Sequence, residues 1–199
     1  MRFGESQKGL SLLEVLVAVV ILSIGLLGTA ALQIQSKRSN LGSVERTLAS
    51  MLVNDMFERM RANPDSYGIY LTELDASKLV GKGGGTAPTP DCKTASTECA
   101  PTQLAQRDVW EWEQLLIGAT EVSGTANTGG LVLPRACLTG PAGGGGEGSY
   151  TLAIVWRGQS EFTGATSPNN CGLGSGLYDG DSGADTLRRI IVVNSYLDD

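Results

Sequence analysis

The chain has 199 residues, with 15 Lys and Arg against 21 Asp and Glu, so its formal net charge is −6. This acidic balance argues against a nucleic-acid partner, because nucleic-acid binders present a basic face. Histidine is absent, which removes the commonest general base and transition-metal ligand, and no other catalytic constellation takes its place. We therefore expect neither an enzyme nor a bound cofactor.

The first predicted element is an apolar helix that contains one carboxylate. From Leu10 to Leu32 the chain has 23 residues, of which Glu14 alone is charged. At 1.5 Å per residue, such a helix crosses the roughly 30 Å hydrocarbon core of a bilayer. An ionised carboxylate in that core costs on the order of 2.5–3.5 kcal/mol, so Glu14 needs a partner. Cleavage between Gly9 and Leu10 would supply an α-amino group, in the same chain or in a neighbouring subunit.

The start of the chain resembles the class III signal of type IV pilins and pseudopilins. Those proteins have a short hydrophilic leader that ends in glycine, then a hydrophobic residue, and Glu at the fifth mature position. Gly9, Leu10 and Glu14 match these positions. The resemblance implies that prepilin peptidase cuts after Gly9 on the cytoplasmic side and methylates the Leu10 amine. It also implies that Glu14 attracts the Leu10 amine of an adjoining subunit and so sets the register of assembly.

The leader differs from an ordinary secretory signal, which has its cleavage site after the apolar region, whereas this glycine precedes it. Arg2 and Lys8 predict a cytoplasmic N-terminus by the positive-inside rule. The alternative interpretation is a plain single-span anchor, in which the helix dipole stabilises an incidental Glu14 near the interface.

The helical pattern continues beyond the apolar span. Apolar residues recur at steps of three and four, which predicts one stripe on an amphipathic helix. The stripe consists of Leu41, Val44, Leu48, Leu52, Met56 and Met60. Asn63-Pro64 predicts the end of the helix near Ala62, because the residue before a proline disfavours helical geometry. Gly25 and Gly28 mark either a bend or close packing against another membrane helix.

After Pro64 the pattern changes to a loop-rich region. Residues 67–80 predict a short helix or an irregular turn, and residues 81–90 predict a flexible loop. A second helix is predicted over residues 103–117. Trp110 and Trp112 lie two positions apart and cannot share one face of that helix. We expect one to pack on a sheet and the other to lie nearer the surface or an interface. The alternative is that both are ordinary packing residues.

Three strands are predicted in the last third of the chain, over residues 131–138, 150–156 and 187–196. Pro134 implies an edge or irregular position for the first strand. Residues 143–148, which are five glycines and Glu147, are predicted to form the turn to the second strand. On that strand one face carries Tyr150, Leu152, Ile154 and Trp156, and the other carries Thr151, Ala153 and Val155.

The cysteines are Cys92, Cys99, Cys137 and Cys171. They form no CxxC pair and have no histidine beside them, which argues against structural zinc. Beyond a bacterial inner membrane the compartment is oxidising, so disulfides are expected. Three pairings are open, and we favour Cys92 with Cys99 and Cys137 with Cys171. The longer tie is then worth on the order of 3–4 kcal/mol in the chain-entropy model.

The loop from Thr163 to Asp185 is rich in oxygen ligands that could hold Ca²⁺. These are Asn169, Asn170, Asp179, Asp181 and Asp185. The spacing only partly matches an EF-hand loop and lacks its terminal glutamate. Asp and Asn are also common turn residues, so a solvated loop is the favoured interpretation and no metal site is predicted.

Several segments resemble the type IV pilus modification protein PilV family of minor pilins. They are Ser11–Ala18, Ile24–Gly28, Glu58–Pro64, the strand near Trp156, and Arg188-Arg189 at the start of the last strand. The region from Tyr67 to Leu131 matches nothing in that family, and Leu10 stands where Phe is commoner.

The resemblance implies an α+β, type IV pilin-like fold, in which a long helix packs on a small antiparallel sheet. Residues 1–9 are the cleaved leader, 10–32 the transmembrane assembly helix, 33–62 its amphipathic continuation and 63–199 the disulfide-containing head. The head would lie in the periplasm while a single span holds the chain in the inner membrane, before transfer to the pilus at the cell surface.

The implied function is to prime or support assembly of the fimbriae used in twitching motility, as a minor pilin at or near the tip. The implied partners are prepilin peptidase, other minor pilins, the major pilin and the assembly platform. A rival interpretation is the I-type minor pseudopilin of type II secretion, which has a similar Leu12–Ala18 segment. A tip adhesin is compatible with the first interpretation. A membrane-anchored enzyme would need acidic residues that converge in a cleft, for which the candidates are Glu161, Asp179, Asp181 and Asp185.

Overall fold

The computed structural model describes residues 11–78, 80–93, 98–162 and 167–198. The helices are α1 (Leu12–Arg61), α2 (Tyr67–Glu73) and α3 (Pro101–Leu116), with short 3₁₀ turns at Pro64–Ser66 and Ala76–Lys78. The strands are β1 (Val122–Ser123), β2 (Ala126–Asn127), β3 (Arg135–Thr139), β4 (Gly148–Arg157) and β5 (Arg188–Leu197). The long N-terminal helix and small antiparallel sheets confirm the predicted α+β pilin-like class.

The chain forms two compact units, which divide between Leu41 and Gly42. The described part of the first unit is the apolar start of α1. The second unit is the head, which contains the rest of α1 and every other element. Helix α1 ends at Arg61, directly before Asn63-Pro64, as predicted. The Asn63 side chain is buried there and donates a hydrogen bond to the Pro101 carbonyl at 2.8 Å, which ties the end of α1 to the start of α3.

One face of α1 forms the base of the head core. The buried residues on this helix are Ala49, Leu52, Val53, Met56, Phe57 and Met60. The predicted stripe is therefore right from Leu48 onward and wrong at its start, because Leu41 and Val44 are exposed. The physical reason is that the head begins to cover the helix only one turn later, and the covered face is widened by Ala49, Val53 and Phe57.

The main sheet has three antiparallel strands in the order β3-β4-β5. Alternation sends Tyr150, Leu152, Ile154 and Trp156 of β4 into the same core as α1, which confirms the predicted face. On the opposite face of β4, Ala153 and Val155 pack with Tyr178 and Cys171. A loop thus covers the second face of the sheet, and the central strand is buried on both sides.

Two disulfides join Cys92 to Cys99 and Cys137 to Cys171, the pairs favoured from the sequence. The second bond fastens β3 to the loop that covers the outer face of the sheet. Arg188 supports the same loop, because its guanidinium donates to the Asn169 carbonyl at 2.6 Å and to the Cys171 carbonyl at 2.8 Å. Burial lowers the pKa of this guanidinium below its usual value.

The first predicted strand begins too early. Residues 131–134 are not part of a strand, and β3 starts at Arg135. Pro134 has no N–H to give to a ladder, and the Leu131 N–H instead donates to the Leu116 carbonyl at 2.8 Å. Leu133 adopts a φ of 47°, which is incompatible with an extended strand. The small β1–β2 hairpin is an element that the sequence analysis missed.

The two tryptophans of α3 differ in burial, as expected. Trp112 is fully buried, and its Nε1–H donates to the Leu52 carbonyl of α1 at 2.8 Å. Trp110 is half-buried and donates to the Gly85 carbonyl of the loop that lies over α3. Helix α3 is thus held to α1 by a side chain that has no access to water.

We predict that Trp112→Phe destabilises the head by about 2–3 kcal/mol, since it removes a buried hydrogen bond and leaves a small cavity. Trp110→Phe is the matched control and should cost less than about 1 kcal/mol at its more accessible site. Thermal unfolding of the full chain in detergent, followed by circular dichroism, measures both. Equal losses for the two variants would contradict this account of the core.

Candidate assembly helix and head contacts

Glu14 lies in the first turn of α1, where the carboxylate meets the positive end of the helix dipole. The Glu14 N–H donates to the Ser11 side-chain oxygen at 3.2 Å and to the Ser11 carbonyl at 3.0 Å. Ser11 therefore caps the helix and fixes where it begins. The predicted cleavage and methylation residues, Gly9 and Leu10, lie outside the described residues.

The capping role of Ser11 was missed by the sequence analysis, although a signal for it exists. Ser11-Leu12-Leu13-Glu14 has the Ser-x-x-Glu spacing of a capping box directly before an apolar run. This signal places Glu14 at the third helical position. The consequence is that the carboxylate stays in the first turn, at the boundary of the apolar surface.

The apolar start of α1 has no protein cover among the described residues. Leu12 is 84% exposed, Leu27 71% and Leu32 73%. Between Glu14 and Lys37 no residue is charged, a length of about 33 Å at 1.5 Å per residue. This helix is long and apolar enough to cross a membrane. Lipid or neighbouring helices would have to cover so large an apolar surface.

Two hydroxyl groups within this apolar stretch are satisfied by the helix itself. Ser23 donates to the Val19 carbonyl at 2.7 Å, and Thr29 donates to the Leu26 carbonyl at 2.9 Å. Such bonds remove the cost of an unpaired hydroxyl in hydrocarbon. At Gly25 and Gly28 an added Cβ would meet no atom within 4 Å, so a neighbouring helix has room to approach.

In the head, a charge network joins α1 to α3. Arg59 donates to Asp55 at 2.9 Å and to Asp108 at 3.2 Å, and Tyr70 donates its hydroxyl to the other Asp108 oxygen at 2.6 Å. Burial raises the pKa of the Asp108 carboxyl, although Tyr70 and Arg59 both favour its ionised form. Burial and the bond to Asp108 likewise raise the pKa of Tyr70. These groups hold the two helices in one arrangement.

The small disulfide loop connects to the same network. Lys93 pairs with Glu111 at 3.1 Å, and Arg107 contacts both Glu111 at 2.6 Å and Asp91 at 3.1 Å. Burial by itself would raise the pKa of the Glu111 carboxyl. The hydrogen bonds from Arg107 and Lys93 together have the larger effect, so this pKa lies below its usual value. The charges flanking Cys92 thus dock the small loop onto α3.

Two long-range hydrogen bonds fix how α1 crosses the sheet within the head. Near the start of the α1 segment that lies in the head, Glu45 accepts a hydrogen bond from the Trp156 side chain at 3.1 Å. At its end, Arg61 donates to the Ser195 hydroxyl at 2.7 Å. Because Trp156 pairs with Arg189 at the start of β5 and Ser195 lies near the end of that strand, this part of α1 and β5 run in the same direction.

Three of the acidic residues that could suggest a metal or catalytic site act as hydrogen-bond acceptors for backbone groups of residues 174–185. Asp179 accepts the Asp185 N–H and Asp185 accepts the Gly174 N–H, both at 3.0 Å. Glu161 accepts from Ser182, which lowers the pKa of its exposed carboxyl. Over residues 11–78, 80–93, 98–162 and 167–198, no three metal-ligating side chains come together.

Within the described residues, an exposed apolar helix with an acidic first turn is followed by an α+β head. Comparison with known families gives two matches. Residues 31–110 match the family described as type IV pilin Tt1218, and residues 6–30 match the prokaryotic N-terminal methylation motif. The two matches together support a type IV pilin, and the pilin match covers 80 of the 199 residues. No curated protein and no solved structure matches the chain.

The motif implies processing by prepilin peptidase and a place in pilin assembly. The apolar helix and the motif fit membrane anchoring followed by transfer to a pilus. The match to a pilin family favours a structural subunit.

We predict that Ser11→Ala loosens the first turn of α1, because removal of the cap costs about 1 kcal/mol. The Glu14 amide should then exchange its hydrogen about fivefold faster. Ser23→Ala is the control, since its hydroxyl bonds within the helix and caps nothing. Hydrogen exchange of the full chain in detergent micelles measures both. Unchanged protection of Glu14 in Ser11→Ala would show that the hydroxyl does not fix the helix start.

Proposed function

We propose that this chain is a minor type IV pilin of the PilV family, which primes or supports pilus assembly at or near the tip together with other minor pilins. The observation that carries the proposal is the position of Glu14 in the first turn of an uncovered apolar helix, directly before a pilin domain. The segments around Glu58–Pro64 and Arg188-Arg189 favour the PilV family.

In the proposed mechanism, prepilin peptidase cuts after Gly9 and methylates the Leu10 amine. The mature helix waits in the inner membrane with its head in the periplasm. Glu14 then attracts the Leu10 amine of an adjoining subunit on the assembly platform. A charge pair in hydrocarbon is poorly screened, so a misplaced subunit leaves both charges unpaired and is disfavoured. The uncovered apolar helix supplies most of the cohesion when subunits leave the bilayer.

The head selects the neighbours in this mechanism. The two disulfides of the head hold loops in place, so this small domain does not need a larger hydrophobic core to fix them. Asp179 and Asp185 serve as acceptors within a loop, so the proposal assigns the head a role in contacts.

The first experiment is to shear and quantify surface pili from cells that lack this gene, beside a complemented strain. We expect a strong loss of pili that complementation restores. Unchanged pili would overturn the assembly role. A defect in type II secretion in the same strain would instead favour the I-type pseudopilin, whose Leu12–Ala18 segment is similar.

We predict that Glu14→Ala reduces incorporation of the subunit into sheared pili by at least about tenfold, because the neighbour's amine then lacks its counter-charge. Membrane insertion should be unchanged, since the substitution makes the helix more apolar. Glu14→Asp keeps the charge and is the matched control, which should retain much of the incorporation. Immunoblots of sheared pili and of carbonate-washed membranes separate the two steps. Normal co-assembly of Glu14→Ala would count against this mechanism.

A further inference from the structure

The apolar start of α1 is followed by a segment that is polar on nearly every side. Residues 33–40 read Gln-Ile-Gln-Ser-Lys-Arg-Ser-Asn, in which Ile34 is the one apolar residue. Helix α1 runs through this polar segment without a break, and all of its residues are exposed. A helix that is polar all round is unsuited to hydrocarbon and to a protein core. The polar segment therefore calls for a wet or charged environment.

The place of the polar segment along the helix matches the headgroup layer of a bilayer. Leu12 and Leu32 are separated by about 30 Å at 1.5 Å per residue, which equals the thickness of the hydrocarbon core. Lys37 follows Leu32 by about 7.5 Å on the same scale. The headgroup region adds roughly 5–7 Å on each side of the core. With Leu12 and Leu32 at the two limits of the core, Lys37 lies at the level of the lipid phosphates.

Lys37 and Arg38 are the cations of the polar segment, and both are exposed. Among the residues that the structure describes, no carboxylate forms a salt bridge with either side chain. The positions three and four residues away from them carry no acidic residue, so no pair along the helix can form. Two adjacent cations without a counter-charge attract an anion from outside the chain.

The surroundings of the two cations favour a phospholipid as the source of that anion. Side chains on a helix lean toward its N-terminus, so Lys37 and Arg38 lean toward the apolar turns that precede them. Arg38 can bind a phosphate through two N–H groups, and Lys37 adds a point charge. Those apolar turns are uncovered, with Leu27 71% and Leu32 73% exposed. A free phosphate would use the cations alone, whereas a phospholipid also covers the apolar surface with its acyl chains.

Processing changes which cations attach the chain to lipid. The leader carries Arg2 and Lys8 at the other end of the apolar span. In the proposed mechanism, cleavage after Gly9 removes both of them. Lys37 and Arg38 then become the nearest side-chain cations to the span. The electrostatic attachment of the mature helix to lipid therefore lies at its outer end.

We propose that Lys37 and Arg38 bind the head groups of anionic phospholipids in the outer leaflet of the inner membrane. The inference rests on the proposed function, which places α1 across that membrane. The lipid phosphate accepts from both cations, and its acyl chains lie along the preceding apolar turns. This contact holds the outer end of the mature helix in place until assembly. Because both cations already lie outside the hydrocarbon core, outward movement of the subunit carries neither charge through it.

The first test measures which lipids surround the polar segment. A fluorophore is attached to Ser36→Cys in the full chain, whose native cysteines are paired in disulfides and do not react. The chain is placed in vesicles of equal parts phosphatidylglycerol and phosphatidylcholine, and one lipid at a time carries a quenching spin label near the top of its acyl chain. We expect labelled phosphatidylglycerol to compete for this contact at least about threefold better than labelled phosphatidylcholine. Equal competition by the two lipids would overturn the proposal.

The second test removes the charges and keeps the polarity. Lys37→Gln combined with Arg38→Gln should lower the preference for phosphatidylglycerol to about one. Lys37→Arg combined with Arg38→Lys keeps both charges and is the matched control, which should retain the preference within about twofold. Flotation with the vesicles checks that every variant is inserted. A preference that survives the glutamine substitutions, or that the charge-preserving exchange abolishes, would contradict the assignment.

Two further measurements on the natural sequence at positions 37 and 38 separate lipid from other anions. Sodium chloride should weaken the preference, because salt screens exposed charges. Sodium phosphate at the same ionic strength should weaken it no further, and a stronger effect of phosphate would show that a free anion occupies the site. A preference that falls as the ratio of protein to lipid rises would show that carboxylates of other copies take the place of lipid. Either result would overturn the proposal.

The proposed function and the lipid contact can fail separately. If cells without the gene keep their pili, the assembly role fails, while the vesicle measurement still reports whether the polar segment selects anionic lipid. If deletion abolishes pili but the inserted chain shows no preference for phosphatidylglycerol, the assembly role stands and the lipid contact fails.

Discussion

The head depends on one packing contact, between the buried face of α1 and the inward face of β4. Met56 and Phe57 of the helix share a core with Leu152 and Ile154 of the strand, and each buried side chain of this size contributes roughly 1.5–3 kcal/mol. Trp112 fastens α3 onto the same helix. Once this contact is fixed, the direction of the α1 segment within the head relative to β5 follows.

The sequence predicted the elements whose pattern is local. Asn63-Pro64 ends α1 because of backbone sterics alone, and the alternation from Tyr150 to Trp156 defines which face of β4 meets the helix. The start of β3 was wrong, because a bond from Leu131 to Leu116 depends on tertiary contacts that no periodicity contains. The predicted start of the α1 stripe was wrong for the same reason, since the exposure of Leu41 depends on where the head begins.

The candidate site also contains features that local sequence predicts and features that depend on tertiary contacts. The Ser-x-x-Glu spacing could have revealed the Ser11 cap, because capping is local. The network of Arg59, Tyr70 and Asp108 joins residues up to 49 positions apart, so no motif indicates it. The roles of Gly9, Leu10 and Glu14 in cleavage, methylation and register stay predictions, because they concern a peptidase and a neighbouring subunit.

The two units of the chain reach their stability in different ways. The apolar start of α1 needs lipid or other helices, and this requirement is generic, since any apolar helix of suitable length satisfies it. The head covers its own stretch of α1 with α3 and β4, and the pair of Arg59 with Asp108 holds that cover in place. Among the described residues, the large uncovered apolar surface therefore lies in the first unit, and contacts driven by apolar burial concentrate there.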